Sequence, residues 1–314
     1  MKVPIRIGLG LLAALTPLTA LAQSATHSAP IEVLYGKPYV MAMVNGKGPF
    51  RFILDTGTGG DAIITSELAS LLELPEAGKV RLNDPSGRGG RPASLRLMDT
   101  LSVAGIEFHA IKAIQHPVLN AEGPCDGVLG FTLFRSHLLT LDYPHSRIII
   151  SDGRLEPDGD RTTHSFRMPD GVPITDLTIG SVHVGALLDS GGGGLSLPER
   201  LTPQLRFTAE PTVFARGESL SSRFSIKTGR LATDVHLGDI TFDQPWVEIN
   251  PAFPLANFGS IPMQHFALTF DQENLLVRID GPRKRINLGV TPSPMRLNNM
   301  PSFKPADTAL VPIG

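Results

Sequence analysis

The sequence predicts an all-β fold made of two tandem lobes related by a pseudo-twofold axis. The composition favours strands and turns over helices, with 27 prolines, 32 glycines and a single tryptophan in 314 residues. An apolar run that ends in Asp, a hydroxyl residue and Gly occurs twice, at residues 52–57 and 186–191. The segments around the two copies also repeat in the same order, which indicates an internal duplication.

The first 22 residues have the features of a secretory signal peptide. Lys2 and Arg6 are basic, residues 7–21 are mostly apolar, and the small-x-small tripeptide at 20–22 is typical of a cleavage site. We therefore expect the mature chain to be exported, either to the periplasm or as a secreted protein. Residues 23–30 are small and polar, and they predict a loose leader before the first strand.

Charge and composition argue against several classes of partner and cofactor. The chain has a formal net charge of −2 and no basic patch, so we expect no nucleic-acid partner. No later segment is long and apolar enough to predict a membrane span. Cys125 is the single cysteine, so an intrachain disulfide is impossible and we expect this side chain to be buried. Motifs with paired Cys, His-Glu-x-x-His, Gly-x-Ser-x-Gly or a phosphate loop are absent, and we expect no metal and no cofactor.

Each copy of the repeat begins with a β-hairpin whose second strand ends in the aspartate. An alternating strand, a two-residue turn and a second strand lead into the carboxylate in both copies. The parts are 38–44, Asn45-Gly46, 50–54 and Asp55 in the first copy, and 173–179, Gly180-Ser181, 182–188 and Asp189 in the second.

The correspondence continues after each aspartate. A short helix, a hairpin and an apolar segment that ends in glycine follow in the same order in both copies. The corresponding parts are 65–72 with 197–201 for the helix, 101–108 with 235–242 for the hairpin, and Gly130 and Asp142 with Gly259 and Asp271, the last two pairs both offset by 129 residues.

The repeat divides the chain into five predicted segments. A stretch rich in Asp, Gly and Pro separates the two copies and predicts a linker, and the Pro-rich, polar end predicts an irregular tail. The segments are a signal peptide at 1–22, a first lobe at 23–150, an interlobe linker at 151–169, a second lobe at 170–290 and a tail at 291–314.

Two lobes packed about a pseudo-twofold axis would bring Asp55 and Asp189 together. Two carboxyls at contact distance cannot both ionise easily, so they share one proton. One carboxylate can then act as a base toward a water molecule while the other donates its proton to a carbonyl oxygen. This division of roles is what hydrolysis of an amide requires in the absence of a metal or a covalent intermediate.

The motifs resemble those of the aspartic peptidases, both the two-lobed pepsin type and the one-lobed retropepsin type. The resemblance covers nearly all of residues 31–288 and implies two retropepsin-like β-barrel lobes in a bilobal, pepsin-like architecture, as in an exported member of bacterial type. It implies that Asp55 and Asp189 are catalytic and that Val128-Leu129-Gly130 threads behind the first active-site loop. The residues that it implies as support for the two loops are Thr56, Gly57, Thr58, Ser190 and Gly191.

The second copy departs from the family pattern in two places. Gly192 stands where a hydroxyl or small side chain is usual, so we expect Asp189 to lack one hydrogen bond. The second threading segment reads Asn257-Phe258-Gly259, with Asn257 in place of an apolar residue. In the flap position the first copy has a glycine-rich stretch, which predicts flap residues Gly87, Gly89 and Gly90.

The leading hypothesis is an aspartic endopeptidase that binds a peptide or protein substrate in an extended form and acts as a monomer. The alternative is a non-catalytic protein that binds peptides or a component of the cell envelope and keeps the same fold. A further possibility is that the aspartates pair between two chains, as they do in retropepsins.

Overall fold

A computed structural model describes residues 26–83, 90–116, 125–159, 161–218, 223–282 and 285–289 of the chain. Within these ranges the protein is built almost entirely of strands with two short α-helices, which confirms the all-β prediction. The predicted signal peptide and tail lie outside the described residues. The strands are β1 Thr26–Pro30, β2 Glu32–Leu34, β3 Lys37–Val44, β4 Lys47–Asp55, β5 Ala62–Ile64, β6 Glu76–Asn83, β7 Gly90–Val103, β8 Ile106–Gln115, β9 Gly127–Gly130, β10 Leu138–Asp142, β11 Arg147–Ser151, β12 Thr163–Ser165, β13 Ile174–Ile179, β14 Val182–Asp189, β15 Leu195–Pro198, β16 Thr212–Glu218, β17 Arg223–Arg230, β18 Val235–Leu237, β19 Ile240–Phe242, β20 Trp246–Asn250, β21 Ala256–Gly259, β22 Ala267–Asp271 and β23 Leu276–Asp280, and the helices are α1 Ser66–Leu71 and α2 Ser260–Met263.

Local sequence explains the hairpin that leads to the first aspartate. Asn45 and Gly46 have φ of 49° and 69°, the left-handed values that a tight two-residue turn between twisted strands requires. Strands β3 and β4 pair antiparallel on either side of this turn, and β13 and β14 do the same in the second copy. Helix α1 begins after Thr65, whose side chain accepts a hydrogen bond from the Leu68 amide at 3.1 Å.

The first lobe is an eight-stranded sheet in the order β2-β3-β4-β9-β5-β8-β7-β6. Most of it is antiparallel, but β4 pairs with β9 in parallel, so the strand that ends in Asp55 runs beside the segment Val128-Leu129-Gly130. Phe52 and Leu54 point into the hydrophobic core, while Ile53 between them lies on the opposite face. This alternation places Asp55 on the face of Ile53, opposite the main core, where a second and smaller hydrophobic cluster lies.

The second lobe is a nine-stranded sheet in the order β16-β17-β20-β15-β21-β14-β13-β18-β19. The parallel pair of β14 with β21 corresponds to the pair of β4 with β9, so Asp189 lies opposite Gly259 as Asp55 lies opposite Gly130. The hairpin of β16 and β17 corresponds to the hairpin of β6 and β7. The two lobes therefore share the same strand topology, as the sequence repeat predicts.

A six-stranded sheet in the order β1-β11-β10-β22-β23-β12 joins the two lobes. Its central strands pair antiparallel with Thr140 opposite Thr269, and the two hydroxyls are 2.9 Å apart. These residues are 129 positions apart, the offset of the repeat, so the pseudo-twofold axis passes between them. The segment at 151–169 supplies β12 to this sheet.

Residues 26–30 were expected to form a loose leader, and this expectation is wrong. They form β1, an edge strand that pairs with the whole of β11 from Thr26 opposite Ser151 to Pro30 opposite Arg147. An edge strand can be held by its backbone hydrogen bonds, so small and polar side chains do not prevent it from forming.

The main core runs through both lobes without interruption. Phe131 and Phe270 contact edge to face with ring centroids 5.2 Å apart, and Phe166 joins both rings. Cys125 is buried, as the sequence predicts. None of the helices in the described ranges is long and apolar enough to cross a membrane.

Candidate active site

The first and second active-site loops begin where β4 and β14 end, at Asp55 and Asp189. Each loop packs tightly against the glycine that ends the neighbouring parallel strand. A Cβ atom on Gly130 would collide with the Gly60 carbonyl, and one on Gly259 would collide with Gly193. Glycine is therefore required at both positions by the close approach of two backbone segments.

Thr56 and Ser190 lock the two loops together through four hydrogen bonds. The Thr56 hydroxyl donates to the Leu188 carbonyl at 2.6 Å and accepts from the Ser190 amide at 3.0 Å. The Ser190 hydroxyl donates to the Leu54 carbonyl at 2.7 Å and accepts from the Thr56 amide at 2.9 Å. Both hydroxyl residues are fully buried, so loss of either would leave polar groups without partners.

The glycines that follow these hydroxyl residues bring each loop against the aspartate of the other lobe. A Cβ atom on Gly57 would lie 2.5 Å from Oδ1 of Asp189. A Cβ atom on Gly191 would lie 2.5 Å from Oδ2 of Asp55. Any side chain at these positions would therefore push the carboxyls apart, and the pair of glycines keeps Asp55 and Asp189 facing each other.

Hydrogen bonds orient both carboxyls. In the first loop, Oδ1 of Asp55 accepts from the Gly57 amide at 2.8 Å and Oδ2 accepts from the Thr58 hydroxyl at 2.8 Å. In the second loop, Oδ1 of Asp189 accepts from the Gly192 amide at 2.8 Å and Oδ2 accepts from Nδ2 of Asn257 at 2.7 Å.

The expectation that Asp189 lacks one hydrogen bond is therefore wrong. Asn257 reaches Asp189 from the threading strand β21 and supplies the donor that the hydroxyl of Thr58 supplies in the first loop. A Cβ atom on Gly192 would lie 2.5 Å from Nδ2 of Asn257 and 2.6 Å from Oδ2 of Asp189. The two departures from the family pattern are thus complementary, because the glycine leaves the space that the amide fills.

The environment favours the protonated form of Asp189. Burial raises its pKa to about 7, and the negative charge of Asp55 and a carboxyl–carboxyl hydrogen bond with Asp55 act in the same direction. The hydrogen bonds from Asn257 and from the Gly192 amide oppose this shift. The pair of carboxyls can therefore keep one shared proton up to neutral pH.

Tyr143 and Gln272 connect the lobes at equivalent positions of the repeat. The hydroxyl of Tyr143, in the first lobe, lies 3.4 Å from the hydroxyl of Ser260 at the start of α2. In the second lobe, Nε2 of Gln272 donates to the Phe131 carbonyl at 2.7 Å. Burial raises the pKa of Tyr143 far above its usual range, and the negative charges of Asp189 and Asp55 add to the effect, so this phenol stays neutral.

The predicted flap falls largely outside the described residues. Gly87 and Gly89 are not among them, whereas Gly90 opens β7 and pairs with Asn83 at the end of β6. Among the residues that the structure describes, no three His, Cys, Asp or Glu side chains are grouped so as to hold a metal ion.

Sequence reasoning did not assign a role to Asn257, Tyr143 or Ser260. The one available signal was the pair of departures at Gly192 and Asn257, which lie in different segments of the same copy. Their connection depends on the parallel pairing of β21 with β14, which brings Asn257 beside the loop that follows Asp189.

Comparison with known proteins supports the same family. No curated protein matches the chain. Residues 40–133 match the model of a family described as Aspartyl protease. The matched region contains most of the first hairpin, Asp55 with its loop, and the threading strand, and it ends before Asp189. This match supports membership of the aspartic peptidase superfamily.

Proposed function

We propose that the protein is an aspartic endopeptidase in which Asp55 and Asp189 together activate one water molecule. The observation that carries this proposal is the convergence of the two carboxyls from separate lobes, each with hydrogen bonds to both of its oxygens. Fixed donors and buried hydroxyl cross-links preorganise the pair, which is the property that acid–base catalysis requires.

The raised pKa of Asp189 suggests separate roles for the two carboxyls. Asp189 holds the shared proton and donates it to the oxygen of the scissile carbonyl. Asp55 is then the carboxylate that takes a proton from water as the water oxygen attacks the carbonyl carbon. In the second step, Asp55 gives its proton to the leaving nitrogen, the carbon–nitrogen bond breaks, and Asp189 recovers a proton from the intermediate, so that the proton count is restored.

Substitution of each aspartate tests this proposal. Asp55→Asn and Asp189→Asn should each abolish cleavage of an unfolded protein, assayed from acid to neutral pH, while the far-UV circular dichroism stays unchanged. Asp239→Asn, in the exposed turn between β18 and β19, is the matched control and should keep full activity. A hydroxyl-bearing transition-state mimic such as pepstatin should inhibit the unsubstituted protein. Full activity in either Asn variant would refute the assignment.

The alternative of a non-catalytic binding protein predicts a different result. In that case the unsubstituted protein would bind extended peptides without cleaving them at any pH. The alternative was suggested by the departures in the second copy, and the hydrogen bond from Asn257 to Asp189 favours catalysis because it completes the second loop.

We also propose that the protein is exported and acts as a monomer. A mature chain beginning at Gln23, found by mass spectrometry, would support export. A mass in solution equal to one chain would support the monomer. Pairing of both aspartates within one chain favours the monomer, because a partner chain is not needed to complete the site.

A further inference from the structure

A row of five residues crosses the second-lobe sheet on the face that carries Asp189. Strand pairing places these residues directly opposite one another on β14, β21, β15, β20 and β17. Residues opposite one another in a sheet share a face. In this order the row is Leu187, Asn257, Ser196, Glu248 and Thr228.

The same row exists in the first lobe, on the face that carries Asp55, but its chemistry differs. Strand pairing gives the corresponding positions without any need for sequence alignment. All five are apolar: Ile53, Val128, Ile63, Ile114 and Leu95. Glu248 in the second row therefore corresponds to Ile114 in the first.

The second row lies on the face away from the core. The neighbours of Glu248 along β20, Val247 and Ile249, are buried in the interior, whereas Glu248 itself is half-buried. Leu187 is half-buried on the same face, two residues before Asp189. An extended ligand that lies over Asp189 would therefore lie over this row as well.

Glu248 has no partner for its charge in the part of the chain that the structure describes. Burial alone raises the pKa of its carboxyl, without an opposing hydrogen bond or cation. The nearby Lys227 projects from the other face of β17 and pairs with Glu199 at 2.9 Å. A carboxylate that has lost part of its hydration without gaining a partner is costly in a protein, and a bound cation would relieve that cost.

We propose that Glu248 forms a subsite that selects a lysine or arginine side chain of the bound peptide. This proposal rests on the endopeptidase function proposed above. Strands β14 and β20 are three strand spacings apart, roughly 14 Å, and an extended peptide rises about 3.3 Å per residue. Allowing for the length of a lysine side chain, the selected residue lies about two to four positions from the cleaved bond.

Cleavage-site mapping on a peptide library tests the proposal. With the unsubstituted protein, Lys and Arg should be enriched at one position near the cleaved bond. For a peptide with lysine at that position, kcat/KM should exceed the value for the same peptide with norleucine there by about tenfold, as expected for one charge-assisted hydrogen bond. Glu248→Gln should remove this preference by lowering kcat/KM for the lysine peptide to the value for the norleucine peptide. Glu199→Gln, which removes a charge of the same lobe outside the row, should keep the preference.

A binding experiment separates failure of this proposal from failure of the proposed function. Fluorescence anisotropy with the Asp55→Asn protein should show that a lysine peptide binds about tenfold more tightly than its norleucine analogue, and that Glu248→Gln abolishes the difference. If the protein cleaves nothing but binds in this way, the endopeptidase proposal fails and the Glu248 subsite stands. Equal binding of the two peptides, or a preference that survives Glu248→Gln, would overturn the subsite.

Discussion

In the second loop the amide of Asn257 supplies the donor that a side chain supplies in the first loop, and Gly192 leaves the space for it. This arrangement leads to a prediction in which the effect of substituting one of these two residues depends on the other. Asn257→Ala removes the hydrogen bond of 2.7 Å to Oδ2 of Asp189. In the proposed mechanism Asp189 becomes negatively charged as it donates its proton, so the amide stabilises charge that develops during the reaction. A hydrogen bond to a charged group contributes about 1.5–3 kcal/mol, so kcat should fall about tenfold to a hundredfold.

The pH profile should change in a defined direction. The hydrogen bond from Asn257 lowers the pKa of Asp189, which burial and Asp55 raise to about 7. Without the amide, the pKa of Asp189 rises further, and the decline of activity at high pH should move to higher pH. A purely structural role of Asn257 would lower activity without moving this part of the profile.

Gly192→Ser supplies the second half of the test. In the natural background its Cβ atom would lie 2.5 Å from Nδ2 of Asn257 and 2.6 Å from Oδ2 of Asp189, so both side chains must move and activity should fall. In the Asn257→Ala background the Asp189 carboxylate can turn into the vacated space, and the serine hydroxyl can donate to it. Gly192→Ser should therefore be harmful in the presence of Asn257 and beneficial in its absence. The reasoning is refuted if the substitution is equally harmful in both backgrounds, measured as kcat in a double-mutant cycle.

Two further predictions concern stability. Thr56→Val leaves the Leu188 carbonyl and the Ser190 amide without partners, so the free energy of unfolding in urea should fall by about 2–4 kcal/mol. Thr175→Val, at a buried threonine with a single hydrogen bond of 3.4 Å, is the control and should have a much smaller effect; equal losses would contradict the role of the cross-link. Folding raises the pKa of Asp189 from 3.8 to about 7, so the folded protein binds this proton more tightly than the unfolded chain does. The free energy of unfolding should therefore fall by up to about 4 kcal/mol as pH rises from about 4 to about 7. Asp189→Asn should flatten this part of the stability curve, and an unchanged slope would show that other groups cause it.

The parts of the fold that the sequence predicts are those specified by neighbouring residues. The turn at Asn45-Gly46 and the alternation in β3 and β4 are local signals, and they place Asp55 at the end of a strand. The strand β1 was missed because its pairing with β11 depends on backbone groups rather than on a pattern of side chains.

The missed site residues are those whose roles depend on pairing between distant strands. Asn257 contacts Asp189 across 68 positions of sequence, and in the sequence alone it reads as a poor match to an apolar motif. Glu248 lies in an ordinary alternating strand, and its position on the face of Asp189 follows from three successive strand pairings. Hydrophobic periodicity identifies which face of a strand is buried, but it does not identify which strands become neighbours.

The axis between Thr140 and Thr269 relates the backbones of the two lobes but not all of their side chains. An assembly of two identical chains must present the same residue on both sides of such an axis, whereas this single chain has Ile114 on one side and Glu248 on the other. A peptide has a direction from its amino to its carboxyl end, and a site with two identical sides cannot distinguish the two ways in which it can lie. For the proposed endopeptidase, joining both lobes in one chain therefore allows a peptide to be held in a single orientation.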